Sequence, residues 1–169
     1  MSVVEKEKVR IISPCAKCGL CCIEKNVFIT VEELRRIKEY TGMDIDEFAE
    51  VYYSPLGVVT ILLKKDEYGR CIFLKNSLCS IHEVKPFQCK TYPVIYSPMI
   101  APVEVREGVY VFRCASGNMV VEVDADYFWE ETKRRTRYLV NYYSRPPEEI
   151  IREIERIASA GARHGKDNR

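Results

Sequence analysis

The sequence predicts an α+β fold: a small antiparallel sheet with short helices around an irregular cysteine-rich core, and a C-terminal helical pair. Three observations predict it. Short β-branched runs such as Val58–Leu63, Val109–Arg113 and Met119–Val123 are bounded by turn residues, the pattern of half-buried strands. Helical spacing of apolar residues appears in two places, before residue 52 and after residue 124. Eight cysteines accompany only two histidines, and four of the eight fall within Cys15-Ala-Lys-Cys18-Gly-Leu-Cys21-Cys22.

The elements follow in order. Residues 1–14 read as an arm or edge strand. The cysteine run is an irregular loop, with Ser13-Pro14 before it and Gly19 inside it for a tight turn. Thr30-Val31-Glu32-Glu33 has the form of a capping box and predicts a helix over Val31–Tyr40 that stops at Gly42. Val31, Leu34 and Ile37 would share its buried face. Asp44 with Glu47 repeats the pattern and predicts a short helix carrying Ile45, Phe48, Val51 and Tyr52, ended by Ser54-Pro55. Val58–Leu63 is a strand, Asp66–Gly69 a turn and Cys71–Leu74 a returning strand. Asn76–Pro93 is loop with a helical turn. Val109–Arg113 and Met119–Val123 form a hairpin. Asp126–Tyr143 is a helix, and Pro146-Pro147 breaks it and opens another with Ile150, Ile154 and Ile157 on one stripe. The expected organisation is a cysteine domain at 1–123, a helical appendage at 124–160 packed on it, and a disordered tail at 161–169.

Composition narrows the function classes. The chain has 169 residues and a formal net charge of +1, which gives no case for bulk attraction to nucleic acid or membrane. No apolar run approaches the roughly 18 residues of a membrane span, and the N-terminus lacks the apolar core of a signal peptide. The expected location is cytoplasmic. There, clustered thiols read as metal or redox chemistry rather than as a disulfide framework. One glutamine against many Lys, Glu, Ile and Val leans towards a thermophilic source, where cytosolic cystines occur, so disulfides remain an alternative.

The thiol spacing carries the chemistry. A two-residue gap lets two sulfurs face one centre at little loop-closure cost, and Cys15, Cys18 and Cys21 meet that condition in series. The same C-x2-C-x2-C run supplies ligands to [4Fe–4S] clusters. Neighbouring side chains diverge, so Cys21 and Cys22 should serve two centres, or one of them none. Cys71, Cys79, Cys89 and Cys114 are too dispersed for a local clip and would converge only through the fold. One partition gives Cys15, Cys18 and Cys21 a remote thiol, Cys89, and gives Cys22 to Cys71, Cys79 and Cys114. Zinc also accepts four thiolates, but structural zinc favours paired knuckles, whereas the triple run favours an iron–sulfur cluster. The cofactor expected is therefore an iron–sulfur cluster, [4Fe–4S] in type, with zinc the alternative. The corresponding functions are an iron–sulfur protein with a redox or cluster-assisted role, working with an unidentified redox or protein partner, or a zinc-stabilised protein- or nucleic-acid-binding module. No P-loop, GxGxxG or nucleophile–base pattern names a reaction.

Other residues compete weakly. His82 follows Cys79 closely but reads first as a surface histidine, and His164 lies in the tail. Lys85, Lys90 and Arg113 flank cysteines and could offset thiolate charge. Lys133-Arg134-Arg135-x-Arg137 with Tyr138, Tyr142 and Tyr143 could grip single-stranded nucleic acid, but an amphipathic helix explains it more simply.

Taken together, Cys15-x2-Cys18-Gly19-x-Cys21-Cys22, Cys71-Ile72-Phe73-Leu74, Cys79-x-Ile81, Pro86-x2-Cys89, Tyr92-Pro93 and Cys114-x2-Gly117 resemble the CxxCxxCC (YkgJ-type) cysteine-cluster family. The resemblance spans about residues 13–118 and implies a zinc- or iron-chelating domain. Some relatives look like flagellin lysine-N-methylases that carry an iron–sulfur cluster. Two positions depart from the family pattern, Lys85 for the usual Arg and Ala115 for a frequent Pro, and neither removes a sulfur.

Overall fold

The computed structural model describes residues 7–99 and 101–160. The expected disordered tail, with His164, lies outside them. In chain order the elements are β1 (Val9–Ser13), β2 (Phe28–Ile29), α1 (Val31–Thr41), α2 (Ile45–Phe48), β3 (Ala49–Tyr53), β4 (Val59–Leu63), β5 (Leu74–Lys75) and β6 (Leu78–Cys79). Then come α3 (Phe87–Thr91), β7 (Glu104–Arg106), β8 (Val109–Arg113), β9 (Val120–Asp124), α4 (Ala125–Tyr143) and α5 (Pro147–Ser159). Short 3-10 turns lie at Leu20–Cys22 and His82–Val84. The chain is α+β, with small antiparallel sheets and a C-terminal helical pair, as its sequence predicts.

Contacts divide the chain into two compact units. The first takes Met1–Cys21 and Thr91–Val140, and the second takes Cys22–Lys90 and Asn141–Arg169.

The first unit is built on a four-stranded antiparallel sheet in the order β1-β9-β8-β7. Alternation along β9 buries Val121 and Val123 and turns Glu122 outward. With Val94, Phe112 and Phe128 they form the core of this unit. Phe128, 1 % exposed, is ringed by Tyr96, Tyr110, Phe112 and Trp129 at 5.3–5.6 Å between centroids. On the opposite face Glu122, the register partner of Val111, takes Arg10 at 2.6 Å and Arg106 at 3.0 Å. Val9–Ser13 is thus an edge strand, the start of the expected arm lies outside the described residues, and the hairpin forms where the sequence places it.

The second unit packs α1 and α5 against the sheet β2-β4-β3. Thr30 and Glu33 close the capping box of α1, and Gly42 ends the helix in the left-handed region at φ 70°. Val31, Leu34 and Ile37 are fully buried on one stripe; Ile150 and Ile157 bury the facing stripe of α5. The Tyr142 hydroxyl accepts from the Val31 amide at 3.0 Å, satisfying a first-turn donor of α1. Arg35 and Arg145 both reach Glu153, at 2.5 and 2.8 Å, joining α1 to α5.

Two elements differ from expectation. The second short helix ends at Phe48 after one turn, and Val51 and Tyr52 lie in β3. These residues favour a pleated surface, and β4 supplies a partner along its whole length, Ala49 opposite Leu63 to Tyr53 opposite Val59. Cys71–Leu74 is a turn rather than a strand, because Leu74 donates back to the Cys71 carbonyl at 2.9 Å; Cys71 makes an isolated bridge to Lys65, and the ladder with β6 begins at Leu74.

Candidate metal centre

In the first unit, two chain segments carry thiols off the same end of the sheet. Ser13, the last residue of β1, and Arg113, the last residue of β8, both face Val120, from opposite sides of β9. Cys114 follows directly, and Cys15 follows after Pro14. Two strand spacings put the departure points about 10 Å apart. After β1 the chain winds tightly, with Lys17 at φ 55° and Gly19 at φ 76°, and passes Cys15, Cys18 and Cys21, all exposed. The Lys17 amide donates to Cys15 Sγ at 3.3 Å.

Cys114 opens a turn closed by the Gly117 amide on its carbonyl at 2.9 Å, with Gly117 at φ 75°. Its sulfur lies 3.1 Å from Ser116 Oγ and accepts from the Met119 amide at 3.2 Å. Burial pushes this thiol up, but hydrogen bonds from the Ser116 side chain and the amides of Met119, Ser116 and Asn118 outweigh burial and hold it below its ordinary value. Amides directed at a sulfur favour the thiolate, the form a metal binds. The Tyr92 hydroxyl accepts from the Ala115 amide at 2.7 Å and fixes the turn from outside.

In the second unit three of the four thiols sit against the core. An antiparallel bridge pairs Ile23 with Arg70, and the Cys71 amide donates to the Cys22 carbonyl at 2.8 Å, so Cys22 and Cys71 stand opposite each other. Cys79 pairs with Leu74 one turn later. Cys71, Cys79 and Cys89 are half-buried and pack on the apolar cluster that contains Phe73 and Ile81. Cys89 rides on α3, whose first turn is anchored twice. Glu33 Oε1 accepts from the Phe87 amide at 2.7 Å. The Gln88 side chain accepts from the Phe28 amide at 3.1 Å and donates to the Asn26 carbonyl at 2.9 Å.

All eight cysteines stand as thiols, not cystines. Among the described residues, no three cysteine, histidine or carboxylate side chains are gathered tightly enough to hold an ion. The fold instead settles which segments carry which thiols. Cys15, Cys18, Cys21 and Cys114 belong to the first unit, and Cys22, Cys71, Cys79 and Cys89 to the second. The partition expected from sequence joins Cys89 to Cys15, Cys18 and Cys21, and Cys114 to Cys22, Cys71 and Cys79, whereas the compact units group Cys114 with the first three and Cys89 with the others. The donor set is all sulfur and numbers four in each unit, which fits a four-coordinate zinc or iron–sulfur centre.

The remaining candidates have ordinary surroundings. His82 is exposed on its 3-10 turn. In the basic run of α4, Lys133 pairs with Glu130, Arg134 with Glu131, and Arg135 lies over the Tyr138 ring. Sequence reasoning missed Glu33 and Gln88 as supports of the Cys89 segment. The signal was faint: a capping glutamate has a second oxygen, and Gln88 is the only glutamine in the chain.

Residues 14–113 match the CxxCxxCC family, described as "putative zinc- or iron-chelating domain". That match spans more than half of the chain, which therefore belongs to this family. It takes in seven of the eight cysteines and stops one residue before Cys114. No solved structure matches the chain. No helix among the described residues is long and apolar enough to cross a membrane.

Proposed function

We propose that this chain is a thiolate metal-binding protein whose cysteines hold iron as an iron–sulfur cluster, [4Fe–4S] in type, in a cytoplasmic redox or cluster-assisted role. The observation that carries the reading is the all-sulfur donor set, with amides already directed at Cys15 Sγ and Cys114 Sγ. Such N–H···S bonds stabilise the negative sulfur and lower the cost of removing its proton, which ligation requires. The triple C-x2-C-x2-C spacing then favours a cluster over a single ion. When bound, a cluster would supply one-electron redox chemistry. The residues' own part is to bind it through sulfur, to direct amides at those sulfurs, and to hold the Cys71, Cys79 and Cys89 thiols against apolar side chains that limit water.

Zinc is the second reading, favoured by the count of four thiols in each unit, which equals a closed structural zinc site. Anaerobic purification, an absorption spectrum and metal analysis separate the two. A brown protein with a broad charge-transfer band and iron with acid-labile sulfide supports the cluster. A colourless protein retaining zinc and no iron after the same preparation overturns it.

A further inference from the structure

We propose that the chain builds two separate metal centres, one in each compact unit. Cys15, Cys18, Cys21 and Cys114 are the ligands of the first, and Cys22, Cys71, Cys79 and Cys89 those of the second. The inference rests on the thiolate metal-binding reading above and adds the number of centres and the ligands of each.

Four features lead to it. The register of the first sheet sends β1 and β8 off the same end, on either side of Val120, so the Cys15–Cys21 loop and the Cys114 turn start as neighbours. Both segments show the same device, a backbone amide two or more residues downstream donating to the cysteine sulfur. In the second unit the backbone bond from Cys71 to Cys22 and the shared packing of Cys71, Cys79 and Cys89 on one apolar cluster bring another four thiols onto one frame. The division falls on the peptide bond joining Cys21 to Cys22. Those two residues end a 3-10 turn, where successive side chains point about 120° apart. One centre cannot easily use both, and two centres can use one each.

The two sets also differ in access. Three thiols of the first set are exposed, whereas all four of the second are half-buried. The first centre should therefore exchange with a chelator faster than the second.

The test uses the full chain, reconstituted anaerobically with ferrous iron and sulfide and, in parallel, with zinc alone. Metal per chain is measured in the wild type, C114S, C89S and the double variants C15S/C114S, C79S/C89S and C89S/C114S. Each single variant should keep about half of the wild-type metal. C15S/C114S and C79S/C89S should keep the same half as their parent singles, and C89S/C114S should lose nearly all. If C89S/C114S keeps as much as either single variant, Cys89 and Cys114 serve one centre and the proposal is wrong. If C15S/C114S loses both halves, the assignment of ligands is wrong. A wild type that takes up neither metal would instead sink the underlying metal-binding reading.

A second measurement avoids variants. In the loaded wild type, chelator addition followed by alkylation and peptide mass spectrometry should unmask Cys15, Cys18, Cys21 and Cys114 together, before the other four. Simultaneous unmasking of all eight, or unmasking of Cys89 with the first group, would overturn the inference.

Discussion

Replacing Glu33 with Ala should be among the most damaging single changes in the second unit, although the residue is charged and sits in a helix's first turn. Its carboxylate is 4 % exposed and serves two segments. Oε2 accepts from the Thr30 amide at 2.8 Å, closing the capping box, and Oε1 accepts from the Phe87 amide at 2.7 Å, holding the turn that carries Cys89. Removing it takes this acceptor from two amides, at about 1–3 kcal/mol each, so E33A should cost about 2–6 kcal/mol. The second capping box supplies the control. Glu47 accepts only from the exposed Asp44 amide, at 2.7 Å, and E47A should cost about 0.5–1 kcal/mol. E33Q keeps one acceptor and should fall between the two. Denaturant unfolding of the metal-free protein, with hydrogen exchange at the Phe87 amide, measures both effects. Protection of that amide should fall in E33A and stay in E47A. Equal losses for E33A and E47A, with Phe87 still protected, would refute the assignment of a bridging role to Glu33.

Three further outcomes are expected. Y142F removes the acceptor for the Val31 amide and should destabilise by about 1–2 kcal/mol, read as a lower denaturation midpoint at unchanged slope. F128A empties the centre of the first unit's aromatic cluster and should cost about 3–5 kcal/mol, with early loss of the Trp129 near-ultraviolet signal. Hydrogen bonds from Arg145, and then from Arg35, hold the Glu153 carboxyl below its ordinary value of 4.5. The depressed value means that this pair stabilises the fold fully above that pH and loses its contribution as pH falls through the lowered value. E153Q should therefore be less stable than wild type at pH 7 and converge with it in stronger acid.

Much of the fold was legible because its signals are local. Thr30 with Glu33 and the glycine at 42 announced α1 within a residue, and the β-branched runs around residues 58–63 and 109–123 announced three strands. The failures came where a remote partner decides. Val51 and Tyr52 fit a helical stripe by spacing, and only the presence of β4 draws them into a strand. Cys71–Leu74 looks extended on composition, yet the Cys71 amide is taken by Cys22, almost 50 residues earlier, and the chain turns. The site followed the same rule. The eight thiols and the divergence of the neighbouring Cys21 and Cys22 side chains could be read directly. The unit in which Cys89 and Cys114 each lie could not, since it depends on which strand ends beside Val120 and on how Glu33 and Gln88 anchor α3.

X-ray absorption at the metal edge of the anaerobically prepared protein tests the central claim most directly, whichever metal is present. Ligation by these cysteines predicts a first shell of sulfur alone, at about 2.3 Å. A first shell of nitrogen or oxygen would contradict it.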